Sequence, residues 1–178
     1  MILFCPSHYR GGPLSPDSPG TFAALMELYE RNYINIRRLL PVMPPARVKC
    51  VSRASGALDL HLCVTERCRY TSELILTYQF DQDDGSTIAE PNLWIRVYHD
   101  ARQAEVIAAQ PRHCPTFAID VLAHHRPERI HRSTRWRINR FLYKWLGYCL
   151  HQGHRFATGP DHWVQELLST TPSKPTPS

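Results

Sequence analysis

The sequence predicts a single α+β domain in which an antiparallel meander of about five strands packs against an N-terminal and a C-terminal amphipathic helix. Two changes of hydrophobic period carry this expectation. Apolar residues recur at three and four residues up to Leu40 and again from Ile138, and they alternate at two through the stretch between Arg47 and Gln110. A chain of 178 residues, 43% apolar and 21% charged, has the length for one hydrophobic core.

Residues 1–20 hold Pro6, Pro13, Pro16 and Pro19 with Gly11, Gly12 and Gly20, and so bring little apolar area to bury; a flexible tail is expected there. Thr21 has the side chain to cap a helix whose apolar positions Phe22, Leu25, Met26, Tyr29, Tyr33, Ile36 and Leu40 share one face until Pro41 ends it. Strands are expected at 48–53, 58–65, 73–80, 93–99 and 104–109. In the second, Leu58, Leu60, Leu62 and Val64 alternate with Asp59, His61, Cys63 and Thr65, the pattern of a half-buried strand. The short charged connection at 66–70 makes the second and third strands hairpin partners. An acidic loop at 81–85 and a linker to Pro91 lead to the fourth, where Arg96 and Tyr98 lie on the face opposite Ile95 and Val97.

Residues 111–127 read either as an edge strand or as a covering loop, with Pro115 excluding a central strand. Ser133 or Thr134 is the expected cap of the strongest helix, whose stripe Ile138, Phe141, Leu142, Trp145, Leu146, Cys149 and Leu150 repeats at 3.6 and ends near Gly153. The domain is accordingly placed at 21–155. Residues 156–178 are expected to hold a short helix at 161–168 and a disordered Pro, Ser and Thr tail.

Composition excludes several classes of protein. No apolar run reaches the roughly 18 residues that a spanning helix needs. Pro6, Ser7, His8 and Arg10 interrupt the apolar start before a signal-peptide core can form, so a cytoplasmic location is expected. The six cysteines follow no repeated spacing and read as free thiols. His61, Cys63 and Cys68 lack the second ligand pair of a zinc site, and His124 and His125 lie in a loop without convergent acids, so neither a metal nor a cofactor is expected. Nucleotide-binding glycine loops, serine-nucleophile elbows, His-Glu-x-x-His and Cys-x-x-Cys are all missing, which tilts the reading away from an enzyme.

Four separated blocks, NYINIRRLLP at 32–41, RYT at 69–71, RVYHDARQAEV at 96–106 and NRFLYKWLGYCL at 139–150, together resemble the YqiB-like family of bacterial proteins, a family without an assigned activity. The resemblance extends over most of residues 22–153. Before Asn139, where relatives tend to carry an acidic stretch with Lys and Gln, this chain reads HRSTRWRI, and it adds proline-rich ends. Part of its basic character is therefore its own.

Two constellations could carry function. The first is the basic run Arg126, Arg129, His131, Arg132, Arg135, Arg137, Arg140 and Lys144, relieved only by Glu128 and interleaved with Trp136 and Tyr143. Such a surface can hold phosphates on its guanidinium groups, so RNA or an acidic protein surface is the expected partner. The bland reading is that a surface helix must carry charges somewhere. The second comprises Arg69, Tyr70, Arg96, Tyr98, Asp100 and Glu105, which would suit a phosphorylated small molecule such as a nucleotide. The competing structural use is an ion pair between Arg96 or Arg69 and Glu105 or Asp100 that fixes a hairpin.

Overall fold

The computed structural model describes residues 21–83, 85–109 and 132–156. The expectations placed on 1–20, 111–127, the His124 and His125 pair, Arg126, Arg129, the short helix at 161–168 and the C-terminal tail lie outside the described residues. Within them the chain forms α1 (Phe22–Leu39), β1 (Val48–Ser52), β2 (Leu60–Arg67), β3 (Thr71–Asp81), β4 (Thr87–Tyr98), β5 (Gln103–Ala109) and α2 (Arg132–His151). The strands pair in sequence order, antiparallel throughout, as the alternating pattern predicts. None of the described helices is long and apolar enough to cross a membrane.

One face of the sheet is apolar because alternate residues of every strand point to it. Cys50, Leu62, Leu74, Leu76, Ile95, Val97, Ala104 and Val106 are all buried, and α1 and α2 cover them with Leu28, Ile36, Leu39, Ile138, Leu142, Trp145 and Leu146. Thr21 caps α1 as expected, its hydroxyl oxygen accepting the Ala24 N–H at 3.2 Å. The two helices lie side by side and run the same way. Asn32 meets Asn139 near the β5 edge, and at the far end the Leu39 carbonyl accepts the Phe156 N–H beside Ser52 of β1.

Three local expectations are corrected. Ser133 and Thr134 are not caps, because α2 already begins at Arg132. The fourth strand starts at Thr87 rather than 93, so the supposed linker is paired with the end of β3. Pro91 is tolerated there because it falls in the irregular register between Leu76 and Tyr78, where a missing N–H breaks no regular ladder bond. The second strand starts at Leu60, leaving Leu58 52% exposed at the turn.

The chain leaves α2 through a C-terminal motif that demands Gly153. At φ +86° it lets its own N–H reach the Leu150 carbonyl at 3.1 Å while the next N–H, of His154, reaches Cys149 at 3.0 Å. His154 is thereby driven into the core. Its Nδ1 lies 3.3 Å from the Ser52 Oγ, and its Nε2 is buried without a hydrogen-bond partner. Since the Ser52 hydroxyl donates to the Arg155 carbonyl, the ring is a neutral donor at Nδ1.

A second histidine, His99, packs its Nε2 2.9 Å from the Ser72 hydroxyl and faces Arg37 and Arg67. Burial lowers the pKa of both rings, and at His99 the two arginines lower it further. Both therefore bind a proton more readily unfolded than folded. Their stabilising contribution is complete above the ordinary histidine value of about 6.5 and is lost as the pH falls below it toward the depressed folded values. The urea midpoint is expected to fall between pH 7 and pH 5, with a shallower fall in His154→Gln and His99→Gln. A midpoint that is flat or rises on acidification would contradict this account.

Candidate functional site

The outer flank of α2 is the strongest candidate surface among the described residues. With 3.6 residues per turn, Arg137, Arg140, Lys144 and His151 fall within a sector of about 60°, roughly opposite the buried Ile138, Leu142, Leu146 and Cys149. All four are exposed. They form a line about 21 Å long. Between Glu128 and Asp161 the sequence contains no acidic residue, so α2 itself supplies no countercharge.

Two members of the predicted basic run behave differently. Arg135 turns inward to the sheet edge, its Nη1 3.8 Å from an oxygen of Glu105, and so belongs to an internal pair. Arg132 lies in α2, with its side chain outside the described set. One face of Trp136 is taken by the Arg140 guanidinium, which sits 4.9 Å from the ring centroid. Tyr143 is half-buried beside Arg31. What the flank offers a ligand is charge and hydrogen-bond donors.

The second predicted constellation is taken apart by strand register. Arg96 stands directly between Glu73 of β3 and Glu105 of β5 and takes Glu73, with Nε at 3.0 Å and Nη2 at 2.5 Å, rather than Glu105 or Asp100. That bond holds the Arg96 proton more tightly than usual, against the opposing effect of burial. Glu105 accepts the Tyr98 hydroxyl at 2.8 Å; burial and then this carboxylate raise the Tyr98 pKa. Asp100 is an exposed turn residue whose carboxylate accepts the Ala101 N–H, and Arg69 lies 5.0 Å over its neighbour Tyr70 in another exposed turn. These groups chiefly satisfy one another.

Around Glu105 the two helices close over the edge of the sheet. Tyr29 is buried beside Glu105 and Arg135, and burial followed by the Glu105 charge raises its pKa. Asn139 accepts the Val106 N–H at 2.9 Å, giving that β5 donor a side-chain partner on α2. Two of the thiols are held in the core: burial pushes Cys149 and Cys50 up to about 11, and Cys149 packs its sulfur 3.3 Å from the Tyr78 hydroxyl.

The flank extends beyond the predicted basic run, to His151 and a recess that the sequence did not reveal. Arg38 on the last turn of α1, Leu150 and His151 on the last turn of α2, and Arg155 beyond Gly153 line an open recess of about 270 Å³. The only sequence signal was that both helices end in basic residues, which the macrodipole already favours.

Residues 35–155 match a family model described as a protein of unknown function, DUF1249. The chain belongs to this family. A relative in Escherichia coli K12, uncharacterized protein YqiB, is 32% identical over 133 residues, covering 74% of this chain and 90% of the relative. YqiB from the O6:H1 and O157:H7 strains matches equally. Among solved structures there is no match. The family match ends at 155, so it takes in α2, its basic flank and all four residues of the recess.

Proposed function

We propose that this protein is a non-enzymatic binding module that holds single-stranded RNA along the outer flank of α2. The observation that carries the reading is the line Arg137, Arg140, Lys144 and His151 on a helix with no acid of its own. A helix serving only structure gains from Glu to Lys pairs four residues apart, whereas Arg140 and Lys144 at that spacing repel by a few tenths of a kcal/mol. A line of one sign fits a linear polyanion, whose regularly placed phosphates it can follow, better than it fits a compact acidic patch. With one face of Trp136 taken by Arg140, affinity is expected to come mainly from phosphate contacts and to show little base preference.

The test is fluorescence anisotropy with a single-stranded RNA at several salt concentrations. Replacing Arg137, Arg140 and Lys144 together by Glu is expected to weaken binding on the order of a hundredfold. The slope of log K against log salt should shrink by about 2, near the value for three lost phosphate contacts. The melting temperature should barely move, since all three side chains are exposed. Absence of RNA binding by the unaltered chain at low salt, or equal binding by the variant, would overturn the reading. Preference for an acidic polypeptide over RNA would transfer the surface to a protein partner.

A further inference from the structure

We infer that the recess formed by Arg38, Leu150, His151 and Arg155 is a binding site for a phosphomonoester. The position of Arg155 is built into the backbone. His154 and Phe156 on either side are each 2% exposed, so the extended segment points Arg155 outward between two buried anchors. Ser52 holds that residue by both of its backbone polar groups, its Oγ accepting the Arg155 N–H at 3.0 Å and donating to the Arg155 carbonyl at 3.0 Å. The Phe156 N–H bond to the Leu39 carbonyl then lays the segment against the end of α1, which brings Arg155 to Arg38. His151 completes the wall, and Leu150 supplies the apolar lining.

The helix dipole explains a basic residue in the last turn of α1 or α2, but it does not explain Arg155, which lies beyond the helix and is steered toward two other basic groups. Among the described residues, no acid lines the recess. Two arginines facing one volume repel each other, and an anion bound there relieves the repulsion. A phosphodiester carries a single charge, whereas a phosphomonoester carries about −1.5 to −2 at neutral pH with three acceptor oxygens. The number of converging donors matches the monoester, and arginine forks suit its oxygens. Such a group occurs at the phosphorylated end of an RNA or on a free nucleotide. In the first case the recess deepens the proposed function, since it terminates the flank and would receive the strand end; in the second it stands without it.

The experiment uses the full chain and the double variant Arg38→Gln with Arg155→Gln, in which two exposed side chains change and the Ser52 bonds to the backbone are kept. Inorganic phosphate, a nucleoside 5′-monophosphate, and one RNA sequence with either a 5′-phosphate or a 5′-hydroxyl are titrated while the His151 ring and arginine side-chain resonances are followed. The monophosphate is expected to shift these resonances saturably, with at least tenfold weaker binding in the double variant and an unchanged melting temperature. The phosphorylated RNA should bind about tenfold tighter than its hydroxyl counterpart. That ratio should vanish in the double variant and survive in the Arg137, Arg140 and Lys144 charge reversal. Monophosphate binding without RNA binding would sustain the recess and defeat the RNA reading. RNA binding with a phosphate ratio of one, and no saturable shift with phosphate or the monophosphate, would overturn the recess and leave the flank in place.

Discussion

Asn139→Ala is expected to destabilise the protein by about 3 kcal/mol, which makes it among the most damaging single changes of a polar residue. Asn139 is fully buried and joins three elements. Its Oδ1 accepts the Val106 N–H of β5, its Nδ2 donates to the Arg135 carbonyl at 2.9 Å, and its backbone oxygen accepts from Asn32 Nδ2 of α1. Alanine would leave the Val106 N–H buried without an acceptor, at a cost of about 1–3 kcal/mol, and would add a void where the amide sat. The gain in helix propensity, about 0.7 kcal/mol at most, offsets little of this.

Asn32→Ala provides the internal comparison. Its Oδ1 is already buried without a partner, and its Nδ2 bonds to Asn139 are long, at 3.3 and 3.4 Å. A loss of about 1 kcal/mol is therefore expected. Urea unfolding of both variants, with the m-value unchanged, measures the two losses. A smaller loss for Asn139→Ala than for Asn32→Ala would refute the assignment of Asn139 as the tie between α2 and the sheet edge.

These two asparagines also mark the limit of what the sequence made legible. Periodicity alone placed both helices and all five strands, because Leu62, Leu74, Ile95 and Val106 alternate toward one face and Leu25, Ile36, Leu142 and Leu146 repeat along another. The same period put Asn32 and Asn139 on the buried stripes, but a polar residue in an apolar stripe names no partner. That depends on which strand lies beneath. The Glu73–Arg96 pair was hidden for a related reason: Arg96 has a carboxylate directly opposite on each side, and register by itself does not choose between them. Of the candidate sites, the exposed flank at Arg137, Arg140 and Lys144 could be read from one helix. The recess could not, since Arg38 and Arg155 meet only after the chain has closed on Ser52 and Leu39.

Leu142→Ala is expected to cost about 3 kcal/mol, and its pairing with the charge reversal separates the two faces of α2. Leu142 is fully buried with Leu146 and Cys149 beneath the sheet, so truncation leaves a void that rigid neighbours on two helices and five strands fill only in part. The urea midpoint and melting temperature should drop, the latter on the order of 10 °C. RNA affinity measured well below the melting transition should stay within about threefold, because the Arg137, Arg140 and Lys144 line lies on the opposite side of the helix. The charge-reversed protein should show the reverse pattern, normal unfolding with lost binding. If Leu142→Ala instead abolished binding while most of the protein remained folded, the flank would depend on core packing more closely than its exposure implies, and the helix would not divide into a structural face and a binding face.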